Sequence, residues 1–75
     1  MQHILTHTHN NTLFLQTAEI VQNGTVSILD QNERVLAQFK MEQTNYLSQE
    51  IELPSGPYSI HFEELDFSWK KQILI

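Results

Sequence analysis

Three histidines near the start of the chain have a spacing that metal ligands use. His3, His7 and His9 are all odd-numbered, so they share one face if residues 3–9 form a β-strand. His7 and His9 stand two residues apart, a spacing at which two imidazoles on a strand can bind one zinc ion. A further ligand would have to come from elsewhere, such as His61 or a carboxylate, and no carboxylate lies nearby in sequence to orient the imidazoles. We therefore favour a polar outer strand face and expect no metal site.

A second group combines the residue types of a hydrolase. Ser59, His61 and Glu63 share one face of a predicted strand. Neighbours on one strand face lie roughly 6.8 Å apart at Cα and project in parallel, whereas a catalytic triad needs hydrogen-bond contact and an oxyanion hole. No glycine-rich turn surrounds Ser59, and the adjacent Glu63 and Glu64 point to opposite strand faces. We expect no catalytic residues, no cofactor and no enzymatic activity.

Aromatic side chains offer a third kind of chemistry. Trp69 could serve as a stacking platform for a sugar ring, and Tyr46, which points outward on its predicted strand, could be a second platform. This pair defines an alternative function, a carbohydrate-binding β-sandwich module. A single tryptophan in a small sandwich is more often part of the core, so we favour a core role for Trp69.

Composition limits the class of protein. The 75 residues form one predicted domain, 1–75, and contain no cysteine, so no disulfide or thiolate site exists. Four basic and nine acidic residues give a net charge of −5, the wrong sign for binding nucleic acid or an anionic membrane surface. No apolar run predicts membrane insertion. The first five residues lack the pattern of a signal peptide, which favours either a cytosolic chain or a mature piece of an exported protein.

The elements that must position these residues are short β-strands. Apolar and polar residues alternate in about seven segments at intervals of roughly ten residues, which predicts an all-β, antiparallel sandwich. We expect strands at 3–9, 12–17, 25–30, 34–41, 46–53, 58–62 and 67–75. Between them, 10–11, 22–24 and 63–66 are predicted to be turns, 18–21 a loop or one helical turn and 42–45 a loop. Lys71 interrupts the apolar face of the last strand, which indicates a bulge or a wet strand end.

The turn before Tyr58 organises the predicted core. Gly56 can supply an unusual backbone angle there, and Tyr58 can return its hydroxyl to the turn backbone as in the tyrosine corner of sandwich folds. Tyr58, Ile60 and Phe62 then point to one face and should be buried. Their expected neighbours are Val26, Ile28, Val35, Phe39, Ile51 and Trp69.

Three stretches resemble a known family. Residues 53–60, Leu-Pro-Ser-Gly-Pro-Tyr-Ser-Ile, and the hairpin at 26–36 resemble immunoglobulin-like modules near the C-termini of secreted Gram-negative bacterial proteins. Residues 69–75, basic and then apolar, resemble the final strand of these modules. These modules include the sorting domains of the type nine secretion system and related small sandwiches of unknown function. In the hairpin Asn32 tolerates the left-handed conformation, and Glu33 stands where the family usually has glycine. The proline-asparagine-proline entry of sorting domains is missing from residues 3–11, which favours the sandwiches of unknown function.

The resemblance implies a non-catalytic accessory module of an exported protein, located outside the cell or on its surface after passing through the periplasm. Its partner would be another protein or the export machinery. The last strand is the expected contact, through Ile73, Leu74, Ile75, Lys70 and Lys71. Because an edge strand offers unpaired backbone groups, the chain could also form a homo-oligomer there. The alternative is that Leu74 packs under residues 18–21.

Overall fold

The protein consists of antiparallel β-strands that curl into a half-barrel. A computed structural model describes residues 2–75; Met1, at which the predicted domain begins, lies outside the described residues. The strands are β1 (Ile4–His9), β2 (Thr12–Leu29), β3 (Val35–Glu50), β4 (Pro57–Glu64) and β5 (Phe67–Leu74). No helix within residues 2–75 is long and apolar enough to cross a membrane. The predicted all-β, antiparallel class is confirmed.

β2 is the central strand because both of its edges are paired. One edge pairs with β3 over most of the length of the two strands. The other edge pairs with β1 through residues 12–17 and with β4 through residues 25–29. β5 pairs with β4. The two halves of β2 thus belong to the two halves of the curled sheet, and the core lies between these halves.

The number of strands differs from the prediction, because residues 2–75 contain five strands and not about seven. β2 continues through residues 18–24, where the sequence predicted a loop or helical turn followed by a turn. β3 continues through residues 42–45, a predicted loop, and ends at Glu50, three residues before the predicted end. Polar residues in these segments indicated breaks, but the strands continue through them, with Val21, Asn23 and Gly24 paired to β3 around an irregular stretch.

A bulge in β2 explains why its alternation was misleading. Gln16 pairs with Tyr46 and Val21 pairs with Thr44, so β2 advances five residues where β3 advances two. The three extra residues (5 − 2) leave residues 18–20 exposed. The core residues of β2 are odd-numbered up to Val21 and even-numbered at Val26 and Ile28. A bulge of this kind bends the strand, which is how one sheet encloses its own core.

Side chains from both sides hold the bulge. The side-chain amide of Gln2 accepts a hydrogen bond from the Glu19 N–H at 2.9 Å and donates one to the Glu19 carbonyl at 3.4 Å. The Ala18 N–H donates to the His3 carbonyl at 2.9 Å. Thr17 is buried, and its hydroxyl donates to the Glu19 carbonyl at 2.8 Å. These contacts extend the pairing between β1 and β2 beyond the last regular pair of the two strands.

The core contains nine buried apolar side chains from β2, β3, β4 and the segment after β3. They are Leu13, Leu15, Val21, Val26, Ile28, Met41, Ile51, Ile60 and Phe62. Of the predicted core, Tyr58, Phe39 and Trp69 are only partly buried. Val35 was predicted wrongly, since 53% of it is exposed. Val35 begins β3 beside a register shift, and strand ends are where alternation predicts burial least reliably.

Gly24 lies inside β2 and not in the predicted turn at 22–24. It is buried, and a Cβ placed on it would lie 2.7 Å from Val21 Cγ1, 3.2 Å from Phe62 Cε1 and 3.3 Å from the Glu63 carbonyl oxygen. Glycine is therefore required here for close packing between β2 and β4. Glycine within a strand often marks such an approach.

Two tight turns follow the polar signals in the sequence. Asn10 and Asn11 have φ values of 50° and 59° and connect β1 to β2, with His9 opposite Thr12. Asparagine adopts the left-handed conformation more readily than most residues, so this predicted turn is confirmed. β4 and β5 are joined by residues 65–66, within the predicted turn at 63–66.

The turn between β2 and β3 is built on the Asp30 side chain. One carboxylate oxygen of Asp30 accepts hydrogen bonds from the backbone N–H groups of Asn32 and Arg34, at 2.8 and 3.0 Å. The other carboxylate oxygen pairs with the Arg34 guanidinium at 3.0 Å. The left-handed residue of this turn is Glu33, with a φ of 64°, and not Asn32, which would tolerate that conformation. The position is the one at which the similar family has glycine.

Candidate functional site

β5 is an edge strand with a regular partner on one side. It pairs with β4 without a register shift from Phe67 opposite Glu64 to Leu74 opposite Pro57. Beyond this ladder, Gly56 and Ile75 exchange two backbone hydrogen bonds of 2.9 Å. Of the two alternatives predicted at Lys71, a bulge or a wet strand end, the bulge is therefore wrong, and Lys71 is an exposed residue in a regular strand.

The other edge of β5 is open. Alternate residues of an antiparallel strand direct their backbone groups to opposite edges. Because Ile75 bonds to Gly56, the odd-numbered residues face β4 and the even-numbered residues face outward. We call the outward backbone groups of Ser68, Lys70, Gln72 and Leu74 the free edge of β5. Pro57, which has no N–H, stands opposite Leu74, where the ladder needs no donor from it.

One contact spans the space between the free edge and β1. The Thr8 hydroxyl donates to the Leu74 carbonyl at 3.2 Å, and within residues 2–75 no backbone hydrogen bond joins the two strands. An open cleft of about 260 Å³ separates them, lined by Thr6–Thr8 on β1 and by 71–74 on β5. The half-barrel is therefore not closed at this seam.

Side chains of β5 divide between the core and solvent. Ile73 and Ile75 pack against the core, whereas Leu74 is 74% exposed. The alternative that residues 18–21 cover Leu74 is wrong. The ammonium of Lys70 forms an exposed ion pair with the Glu33 carboxylate from the β2–β3 turn, while no hydrogen bond or ion pair holds the Lys71 ammonium within the described chain.

A larger cleft borders the same strand. It has a volume of about 480 Å³ and is lined by Asp30, Gln31, Glu33, Pro57, Tyr58, Ser59, Lys70, Lys71 and Gln72. The Tyr58 hydroxyl donates to the Pro54 carbonyl at 2.6 Å, which is the return to the turn backbone that the sequence suggested. Gly56, between them, has a φ of 156°. The wall of the cleft is thus fixed by the turn that precedes β4.

Asp30 forms the acidic side of this cleft. The backbone N–H of Arg34 is the main cause that holds the pKa of the Asp30 carboxyl below its ordinary value. The N–H of Asn32 and the Arg34 guanidinium act in the same direction. The carboxylate is committed to the turn, so it is a structural anion and not a free acid or base.

The suspected triad residues do not form a catalytic arrangement. His61 Nδ1 lies 3.5 Å from Glu63 Oε1 on the same strand. Within residues 2–75 no hydrogen bond joins Ser59 to His61, and their register partners are Gln72 and Lys70 on β5. A nucleophile needs contact with its base, which this strand geometry does not provide.

The three N-terminal histidines lie exposed on one face of β1 and the residue before it. The rings of His7 and His9 stack with centroids 6.1 Å apart and an angle of 14° between their planes. His7 also stacks on Phe14 of β2, at 6.1 Å and 29°. His3 lies closer to the N-terminus than this pair. Within the described residues no group of three or more His, Cys, Asp or Glu side chains could hold a metal ion.

The two aromatic candidates for sugar binding lie on different faces. Trp69 packs against the core, opposite Phe62. Tyr46 is 48% exposed on the outer face, beside Gln16. They cannot form one stacking platform.

The chain matches no protein-family model and no curated protein. The resemblance to immunoglobulin-like modules therefore depends on the residues in the three stretches that carry it.

Sequence reasoning missed an apolar hollow on the outer face. It is lined by Leu5, Thr6, His7, Phe14, Leu15, Gln16 and Tyr46. Leu5 is 72% exposed at the rim. The available signal was the alternation of residues 3–9, which places Leu5 on the face of the histidines. Phe14 and Tyr46 come to lie beside Leu5 only because β1 pairs with β2 and β2 pairs with the second half of β3.

Proposed function

We propose that this protein is a non-catalytic interaction module that binds an extended segment of a partner protein as an added strand at the free edge of β5. The observation that carries the proposal is the open seam, where a single side-chain hydrogen bond connects β1 and β5 within residues 2–75. Natural edge strands are usually paired, covered or blunted. An edge left open in this way is suited to strand addition.

The chemistry of the edge supports a peptide ligand. Main-chain hydrogen bonds to Lys70, Gln72 and Leu74 would supply affinity, and side-chain contacts would supply specificity. Leu74, 74% exposed, offers an apolar contact, and the Lys71 ammonium offers a positive charge at the mouth of two clefts. A partner segment with an acidic residue beside an apolar one would match both.

The setting of this module is proposed from the resemblance. An immunoglobulin-like sandwich near the end of an exported protein would present β5 to the export machinery or to a surface protein. Two structural features support the relationship: the Tyr58 to Pro54 hydrogen bond before β4 and the left-handed residue at position 33, where the family has glycine. The protein would then act outside the cell or on its surface.

Photo-crosslinking in cells tests the proposal. A photoreactive amino acid at position 74 would lie on the free edge, and the same group at position 65 would lie on the β4–β5 turn, where Leu65 is 96% exposed. The host is a Gram-negative bacterium with a type nine secretion system. We expect a discrete crosslinked protein from position 74 and none of the same mass from position 65.

A backbone variant supplies the control. Gln72→Pro removes an outward N–H without touching the ladder to β4, and Gln72→Ala changes the side chain while keeping that N–H. The crosslink and the export of a fused reporter should fall in the proline variant and persist in the alanine variant, both variants being folded by circular dichroism. Equal crosslinking at positions 65 and 74, or indifference of a folded Gln72→Pro variant, would overturn the proposal.

A further inference from the structure

We infer that Asn23 is a site of spontaneous deamidation that folding suppresses and unfolding releases, and that the isoaspartate product cannot rebuild β2. The site is independent of the free edge of β5. Asn23 is followed by Gly24 within β2, and these two residues are the one asparagine–glycine pair of the sequence. The inference begins from the chemistry of this pair.

Asparagine loses its side-chain amide when the backbone nitrogen of the next residue attacks the side-chain carbonyl carbon. At this pair, the Gly24 nitrogen gives up its proton and bonds to Asn23 Cγ, and ammonia leaves. Water then opens the resulting five-membered succinimide at either carbonyl, which gives aspartate or isoaspartate. Glycine favours this step, because it has no side chain to shield its nitrogen and its backbone rotates freely. In an unfolded chain, Asn23 is therefore the asparagine that reacts first.

The strand conformation of β2 holds the two reacting atoms apart. The ring closes when the Gly24 nitrogen eclipses Asn23 Cβ about the Cα–C bond, whereas a strand ψ of about +135° keeps them roughly 100° from this position. Turning the backbone by that angle would break the pairing of Gly24 with Met41 and of Thr25 with both β3 and β4. The exposed side chain of Asn23 is thus protected by the backbone and not by burial.

Core packing fixes the attacking residue as well. Gly24 is buried against Val21, Phe62 and the Glu63 carbonyl, so its peptide group cannot turn towards the Asn23 side chain without opening the core. Opening a strand that belongs to the core requires a free energy close to that of global unfolding. Since the unfolded fraction of a stable protein is on the order of 10⁻³ or less, deamidation of the folded protein should be slow.

Both products disturb β2. Isoaspartate carries the main chain through its own Cβ, so it adds a methylene to the backbone just before Gly24, where one added carbon would already lie 2.7 Å from Val21. The added atom also displaces Val26 and Ile28 from the spacing that places them in the core. Aspartate keeps the backbone but sets a second carboxylate opposite Glu42, and like charges directly opposite each other destabilise a sheet. Isoaspartate should therefore prevent refolding, and aspartate should weaken the fold.

The first test compares the rate of deamidation in the folded and unfolded states. Protein is kept in mildly alkaline buffer with guanidinium chloride or with the same concentration of sodium chloride. Peptide mass mapping then follows the exchange of NH2 for OH at Asn23. We expect this rate to be at least about tenfold higher in guanidinium chloride, because the folded protein opens rarely. Equal rates in the two solutions would overturn the inference, as would a faster reaction of unfolded protein at any other asparagine than at Asn23.

The second test measures refolding of the aged protein. After transfer from guanidinium chloride to buffer, native chains are separated from non-native chains by size-exclusion chromatography, and isoaspartate at position 23 should be confined to the non-native fraction. Asn23→Gln is the matched control, because its longer side chain must close a less favourable six-membered ring, and it should keep its full refolding yield. Isoaspartate at position 23 in chains with the native circular dichroism spectrum, or an equal loss of refolding in Asn23→Gln, would overturn the inference.

Discussion

Gly24→Ala is the most direct test of how β2 and β4 pack. The added Cβ would lie 2.7 Å from Val21 Cγ1 and 3.2 Å from Phe62 Cε1. Val21 is fully buried, and a β-branched side chain has few rotamers by which it could move away. Overpacking of this kind typically destabilises a protein by about 1–3 kcal/mol. We expect a loss in this range from the free energy of unfolding, measured by urea denaturation.

A double-mutant cycle with Val21→Ala identifies the cause. Truncating Val21 removes the methyl that the new Cβ would meet, so the cost of Gly24→Ala should be smaller in that background by at least about 0.5 kcal/mol, the lower end for residues in contact. If Gly24 were in a turn that needs positive φ, the cost would not depend on Val21. Additive effects, or a neutral Gly24→Ala, would therefore refute the packing argument.

Three further predictions concern the core and the β2–β3 turn. Phe62→Ala should cost about 3–5 kcal/mol and Val35→Ala, at a residue 53% exposed, much less. Similar thermal-melt shifts for the two variants would contradict the buried position of Phe62 and the exposed position of Val35. Glu33→Gly should be more stable than Glu33→Ala. Both variants lose the Lys70 ion pair, but only glycine accepts a φ of 64° without strain. A higher stability of Glu33→Ala in urea denaturation would contradict this. Asp30→Asn should destabilise the protein at pH 7. Hydrogen bonding lowers the folded-state pKa of Asp30. The stabilisation by its carboxylate is therefore present above the unfolded-state pKa and is lost as the pH falls through the folded-state pKa. The free energies of unfolding of the two proteins should converge in acid, and a constant difference down to pH 2 would argue against this.

The sequence predicts the class of this fold because alternation survives in single strands. Val26 and Ile28, and likewise Ile60 and Phe62, are buried as their spacing indicates. It does not predict the number of strands, since that depends on the bulge after Gln16. Three extra residues on β2 are accommodated by its partners, and no local pattern distinguishes such residues from a loop.

The candidate site shows the same division between local and long-range information. The apolar end of β5 follows from the residue types, whereas the exposure of Leu74 does not, because the sequence left open its packing under residues 18–21. The open seam between the free edge of β5 and β1 depends on pairing between strands that are distant in sequence. This pairing brings Thr8 and Leu74 into contact. Similarly, His7 and His9 are neighbours by spacing alone, whereas Phe14, which holds one of them, is supplied by the register of β1 and β2.

Lys71 offers a reason why β5 does not pair with β1 and why its free edge would not pair with every available strand. It occupies the inward series of β5 with Trp69 and Ile73, both packed against the core, but it is exposed itself. An inward-pointing charge on an edge strand is a device by which proteins prevent unwanted pairing. Burying this ammonium against β1, or against the Lys71 of a second copy, would be costly without a carboxylate. A partner segment that brings a carboxylate to this position would remove the penalty. Under the proposed function, this one residue would both disfavour closure of the half-barrel and select the segment that completes it.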